Sequence, residues 1–93
     1  MQFSIPSGHP SLPGHFPGRP IVPGVVLIER VLEAIETTHG PLGALRLPQV
    51  KFTQVLLPEE TARIELEGEA PRWRFRVLRG ETLLASGEVV AAP

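Results

Sequence analysis

Residues 14–29 read Gly14-His15-Phe16-Pro17-Gly18-Arg19-Pro20-Ile21-Val22-Pro23-Gly24-Val25-Val26-Leu27-Ile28-Glu29. Near the start of this stretch is a histidine, His15, held in a loop stiffened by proline and glycine. The stretch ends in one carboxylate inside an aliphatic run. Between them Pro23-Gly24 has the composition of a helix start, because proline is favoured in the first turn. A base, an acid and a helix N-terminus in one short span are the parts needed to move a proton beside a carbonyl group.

Working outward, the spacing predicts a helix from Pro23. Val25, Ile28, Val31, Leu32 and Ile35 recur at intervals of three and four and form one apolar stripe. Val26, Leu27 and Ala34 widen it, and a helix apolar over most of its circumference is a buried one. Gly40-Pro41 ends it, with Thr37-Thr38-His39 as a fraying last turn. Upstream, Pro6, Pro10, Pro13, Pro17, Pro20 and Pro23 crowd the first quarter of the chain. Proline fixes φ and removes a donor, so residues 6–22 are neither regular helix nor central strand. Two readings of that segment stand: a disordered arm, or a functional loop anchored by Leu12, Phe16, Ile21 and Val22.

Downstream the pattern changes to strands. Residues 45–57 are rich in β-formers, punctuated by Pro48 and Pro58. Residues 62–67 place Ile64 and Leu66 on one face and Arg63, Glu65 and Glu67 on the other. A turn follows at Gly68-Glu69-Ala70-Pro71. Residues 72–79 point Trp73, Phe75 and Val77 inward and Arg72, Arg74 and Arg76 outward. Gly80-Glu81 turns again. Residues 82–90 make the last strand, with small Ala85 and Gly87 where something packs closely. A short strand at residues 2–5 precedes the loop. One helix wrapped by a curved antiparallel sheet is the economical way to bury these surfaces, an α+β architecture in a single domain over residues 1–93.

Ninety-three residues allow one domain with a modest core, often completed by a partner subunit. The net charge of −1 argues against binding nucleic acid through bulk positive charge. The absence of cysteine removes disulfides and thiolate chemistry. No signal peptide is visible after Met1, and the longest apolar run, Val25 to Ile28, is too short to span a bilayer, so the cytoplasm is the expected compartment.

Among the histidines, His9 sits between Gly8 and Pro10, and His39 at the helix C-terminus suits the dipole. For both, the sequence favours an ordinary structural role over a chemical one. His15 differs through its stiff flanks, and imidazole titrates near neutral pH as a general base should. Glu29 has two readings. Glu29, Glu33 and Glu36 share one helix stripe, which suits a solvated face. Alternatively, Glu29 lies among aliphatic residues, where a desolvated carboxyl keeps its proton and can donate it. Gly24, second in the expected helix, exposes a backbone N–H at the positive end of the dipole and lets a carbonyl approach closely. Such a donor stabilises negative charge developing on a thioester oxygen. The row Arg72, Arg74, Arg76 faces Glu65 and Glu67 across strands, as on a paired outer sheet face. No histidines or acids show metal-ligand spacing.

The stretch from Gly14 to Glu29 resembles the active-site signature of the 3-hydroxyacyl-ACP dehydratases of the FabZ/FabA type. That signature is Gly-His-Phe-Pro, then Pro-(Ile/Val)-X-Pro-Gly-Val-Leu, then an acid at this spacing. Val50-Lys51-Phe52-Thr53-Gln54-Val55-Leu56-Leu57-Pro58 is similar to the family strand Arg-Phe-X-X-Pro-Val-X-Pro-Gly. The compact length, with His9-Pro10-Ser11-Leu12-Pro13 before the signature, is closer still to the ApeI-like dehydratases of aryl polyene clusters. The resemblance implies the hotdog fold, an antiparallel sheet around one long helix. It also implies a dimer, homodimeric or heterodimeric, with sites built from both subunits. His15 would be the base, Glu29 of the other subunit the acid, and Gly24 the donor to the thioester carbonyl. The acyl chain would run along the helix between subunits, against Phe16, Val25, Ile28, Val31 and Leu32. The substrate would arrive on the phosphopantetheine of an acyl carrier protein, with no other cofactor, metal, nucleic acid or membrane involved. The reaction implied is dehydration to a trans-2-enoyl thioester in fatty acid, polyketide or aryl polyene type biosynthesis. One departure stands out: the family's Ala-Met-X-Gln after the acid is here Arg30-Val31-Leu32-Glu33. The rival readings are a hotdog acyl thioesterase and a non-catalytic acyl-ACP-binding subunit of a heterodimer.

Overall fold

The chain runs β1 (Gln2–Phe3), α1 (Gly24–His39), β2 (Leu45–Arg46), β3 (Val50–Phe52), β4 (Ala62–Glu69), β5 (Arg72–Arg79) and β6 (Thr82–Ala91). This architecture comes from a computed structural model in which residues 1–9 and 21–92 are described. The strands form one antiparallel sheet in the order β1-β4-β5-β6-β2, with β3 pairing β6 beside β2.

Register converts the period-two pattern into two faces. Ile64 lies opposite Val77, Val77 opposite Ala85, and Ala85 opposite Phe52, so these four share one row. Leu66, Phe75, Gly87 and Val50 make the next row of the same face. Val77, Phe75, Trp73, Ala85 and Val89 from this face are buried with α1 in one cluster. Each fully buried aliphatic or aromatic side chain there contributes roughly 1.5–3 kcal/mol. The opposite face carries Glu65, Arg76, Ser86 and Lys51 in one row and Glu67, Arg74 and Glu88 in another. Arg76 pairs with Glu65 at 3.0 Å and Arg72 with Glu88. Arg76 and Glu65 are solvent-accessible, so this pair adds at most about 1 kcal/mol.

The expected outline holds with local corrections. The first strand stops at Phe3, although Ile5 is fully buried. Residues 45–57 form two short strands instead of one run, because β2 and β3 pair with separate parts of β6. Strand β4 continues to Glu69, past the Gly68 expected to open the turn. Gly68 stays paired with Trp73 at a φ of +92°, which glycine tolerates. Leu66 shares the face of Ile64 but is exposed, whereas Ile64 is buried.

The helix starts one residue later than expected, with Pro23 as its N-cap and Gly24 as its first residue. Its core-facing residues are Val26, Leu27, Ile28, Val31, Ala34 and Ile35. Val25, placed by sequence on the apolar stripe, is 62% exposed, and Leu32 is half-buried. Rotation explains this: at about 100° per residue, Gly24, Ile28, Val31 and Ile35 lie along one line and Val25, Glu29, Leu32 and Glu36 along another. The first line meets the sheet. The second is open. The last turn is held rather than frayed. The Thr37 hydroxyl donates to the Glu33 carbonyl at 2.8 Å, the Thr38 hydroxyl to Ile35 at 3.1 Å, and the Gly40 N–H to Glu36 at 2.8 Å.

Candidate active site

The signature's second half is well defined. Its first half, including His15 and Phe16, lies outside the described residues. The helix entry is fixed by the chain that follows β3. The Val22 N–H donates to the Leu56 carbonyl at 2.8 Å, and both side chains are buried. Pro23 then turns the chain into α1 without a side-chain cap. The Val26 N–H reaches back to the Pro23 carbonyl at 3.0 Å. The amides of Gly24 and Val25 precede it in the first turn, where no helical carbonyl can accept from them. They project at the positive end of a helix of 16 residues.

Gly24 has a neighbour that the sequence reasoning did not assign. The Phe52 ring lies against its α-carbon, so a Cβ built there would be 2.7 Å from Phe52 Cε1 and Cζ. Phe52 ends the inner row Ile64–Val77–Ala85–Phe52, yet it is 54% exposed and stands outside the core cluster. The signal was present as alternation: Val50 and Phe52 face inward, and Lys51 between them faces out. The motif by itself assigns no role to the aromatic residue of this strand.

Glu29 lies on the open helix line with Val25, Leu32 and Glu36, and it is exposed. The burial that the acid role requires does not come from this chain's own fold. Ile28 and Val31, expected along a bound acyl chain, pack into the core, and Val31 is fully buried. Val25 and Leu32 are the expected lining residues with open surface. Arg30 and Glu33, the two polar departures from the family pattern, meet each other. Arg30 Nη1 donates to both carboxylate oxygens of Glu33, at 2.9 and 3.1 Å. His39 packs edge-on against Trp73, with centroids 5.2 Å apart, which gives its imidazole a packing role. Among the described residues, no three His, Asp or Glu side chains group as metal ligands, and no helix is long and apolar enough to cross a membrane.

Comparison with known proteins places this geometry. The family model for ApeI-like proteins, described as ApeI dehydratase, matches residues 1–88. The 3-hydroxyacyl-[acyl-carrier-protein] dehydratase FabZ of Desulforamulus reducens is 31% identical over 96% of this chain and 72% of its own length. The FabZ of Acetivibrio thermocellus is 32% identical over 69% of this chain, which spans about half (49%) of that relative. Among solved structures, the dehydratase heterocomplex ApeI:P from Xenorhabdus doucetiae superposes with a TM-score of 0.83 at 24% identity, covering 96% of this chain and 81% of that one. A point mutant of the fluoroacetyl-CoA-specific thioesterase FlK gives a TM-score of 0.59 at 18% identity, covering 97% and 81%. At these identities the structural likenesses establish the shared fold. The family model, the FabZ relatives and the helix opened by Pro23-Gly24 agree: the chain is a member of the ApeI-like family of FabZ-type, hotdog-fold dehydratases.

Proposed function

We propose that the protein dehydrates a 3-hydroxyacyl thioester carried on an acyl carrier protein, within fatty acid, polyketide or aryl polyene type biosynthesis. The observation that carries this reading is the glycine-opened helix N-terminus, which Pro23 leaves without a side-chain cap, with a carboxylate on the outward helix line, in a chain of the dehydratase family. The thioester oxygen accepts from the Gly24 N–H, which stabilises charge as the α-carbon loses its proton. His15 takes that proton. Glu29 protonates the departing hydroxyl, the C–O bond breaks, and a trans double bond and water result.

Helix geometry supports a site shared by two chains. Glu29 lies five residues beyond Gly24, about 7.5 Å along the axis and about 140° around it. A substrate held on the Gly24 amide is therefore out of line with the Glu29 of the same helix. An exposed Glu29 on an open helix line is available to a neighbouring chain instead, and docking there would remove it from water. A second subunit also suits a small domain with several exposed apolar side chains, among them Val25, Val55 and Leu57. The fold is shared with a thioesterase, so product analysis is part of the test: enoyl thioester supports dehydration, and free thiol supports hydrolysis.

The decisive experiment is complementation. His15→Ala and Glu29→Gln homodimers should each lose activity by ~10²-fold or more, the usual range for general acid–base groups. Mixed and allowed to exchange, they form hybrids with one intact site and one doubly deficient site. Random exchange makes half the dimers hybrid, so activity should recover to roughly a quarter of wild type, because groups acting as a unit fail together. No recovery after exchange verified by native mass spectrometry would overturn the shared site.

A further inference from the structure

We propose that Phe52 is a specificity-determining residue that sets the room available at the substrate α-carbon. This rests on the dehydratase reading, in which the acyl carbonyl sits on the Gly24 amide. A carbonyl oxygen accepting from that amide lies about 2.9 Å from its nitrogen. The carbonyl carbon and its two substituents then occupy the next shell around the first helical turn. On the β3 side that shell is already bounded, because Cε1 and Cζ of the Phe52 ring fill the space beside the Gly24 α-carbon.

Three features separate this ring from an ordinary core aromatic. It is 54% exposed, so much of its surface is available to a ligand. It lies outside the buried cluster, although Val77 and Ala85 of its own row lie inside. Its strand is anchored independently of the ring: Thr53 donates from its N–H to the Leu84 carbonyl at 2.8 Å and from its hydroxyl to Leu83 at 2.6 Å. The backbone therefore holds the ring at the helix start without needing the ring for cohesion. A flat apolar surface there accommodates an unbranched α-methylene. It leaves no room for a branch on the same carbon.

The test compares 3-hydroxyhexanoyl and 2-methyl-3-hydroxyhexanoyl groups on the acyl carrier protein. Both have an α-proton, so both can lose water. The ratio of their kcat/KM values is measured for wild type, Phe52→Ala and Phe52→Leu. Wild type should prefer the unbranched substrate by on the order of 10–200-fold, the range one extra methyl group commands in a tight apolar pocket. Phe52→Ala should collapse that preference toward unity, with Phe52→Leu intermediate. Melting temperature and association state, read on the same samples, report any structural loss, which would lower both substrates together and leave their ratio alone. An unchanged ratio in both variants, or a wild type indifferent to the branch, overturns the role of Phe52 and leaves the dehydratase reading intact. A wild type that dehydrates neither substrate overturns the dehydratase reading itself, and the inference with it.

Discussion

Gly24→Ala should leave the protein folded and nearly abolish turnover. The new methyl would stand 2.7 Å from two carbons of the Phe52 ring, well inside contact distance. Something must move, and the ring can, because it is the far end of a side chain that is 54% exposed. Full burial of such a side chain is worth roughly 1.5–3 kcal/mol, so displacing one already half in water forfeits about 1 kcal/mol. Replacing glycine by alanine in a helix returns up to about 1 kcal/mol. The two nearly cancel. At roughly 4–8 °C per kcal/mol for a domain of this size, the melting temperature should stay within about 8 °C of wild type. Activity should behave differently. A methyl beside the amide and a displaced ring both intrude on the proposed dock of the thioester oxygen, and loss of one such donor costs about 10²–10³-fold in kcat. The assay pairs thermal unfolding by circular dichroism with enoyl formation, followed by the ultraviolet absorbance of the conjugated thioester. A fold that collapses would refute the mobility of the Phe52 ring. A stable variant with wild-type kcat would refute the Gly24 amide as carbonyl donor.

Gly87→Ala should give the opposite outcome. Its Cβ would overlap the Gln49 carbonyl oxygen, which accepts from the Glu88 N–H at 2.9 Å, and lie 2.9 Å from the buried Phe75 ring. Neither obstacle can swing away, so overpacking plus a lost hydrogen bond should cost roughly 2–4 kcal/mol and lower the melting temperature by more than about 8 °C; a melt within a degree or two of wild type would contradict it. A double-mutant cycle on Glu65 and Arg76 should return a coupling below about 1 kcal/mol that shrinks in high salt, since both partners are solvent-accessible. Glu33→Gln leaves the Arg30 charge uncompensated beside Glu29 and should lower kcat/KM several-fold on the preferred substrate; an unchanged value would count against the balanced pair.

The strand pattern was legible because alternation is local. The faces of Trp73, Phe75 and Val77, and of the arginines between them, follow from period two, and so does the close packing at Gly87. The helix face was legible less well. Aliphatic residues at Val25, Val26, Leu27 and Ile28 surround the first turn, so hydrophobicity could not say which side meets the sheet. Only the rotation of the helix against β4 and β5 decides that Val26 is buried and Val25 open. Glu29 posed the same difficulty: on its own chain it is exposed, and no sequence period separates an open helix line from a buried one. Phe52 was missed for another reason. Its meaning comes from contact with Gly24, across a separation in sequence that no local pattern bridges.

The departures from the family pattern make sense together. A glutamate in place of glutamine adds a negative charge four residues after Glu29, the proposed acid, and alone it would repel an acidic group held near the site. Arginine in place of alanine, one residue after the acid, adds a positive charge. On a helix, positions three apart face each other. Arg30 and Glu33 are three apart, and they close into a two-pronged ion pair. The pair is partly exposed, so its worth to stability is small. Its larger consequence is electrostatic: the local charge sum equals that of the alanine and glutamine it replaces. Glu29 keeps a neutral flank, because the Glu33 charge one turn away is compensated by the Arg30 guanidinium. Two substitutions that look disruptive singly therefore preserve, as a pair, the neutral setting that the proposed proton-donating role of Glu29 calls for.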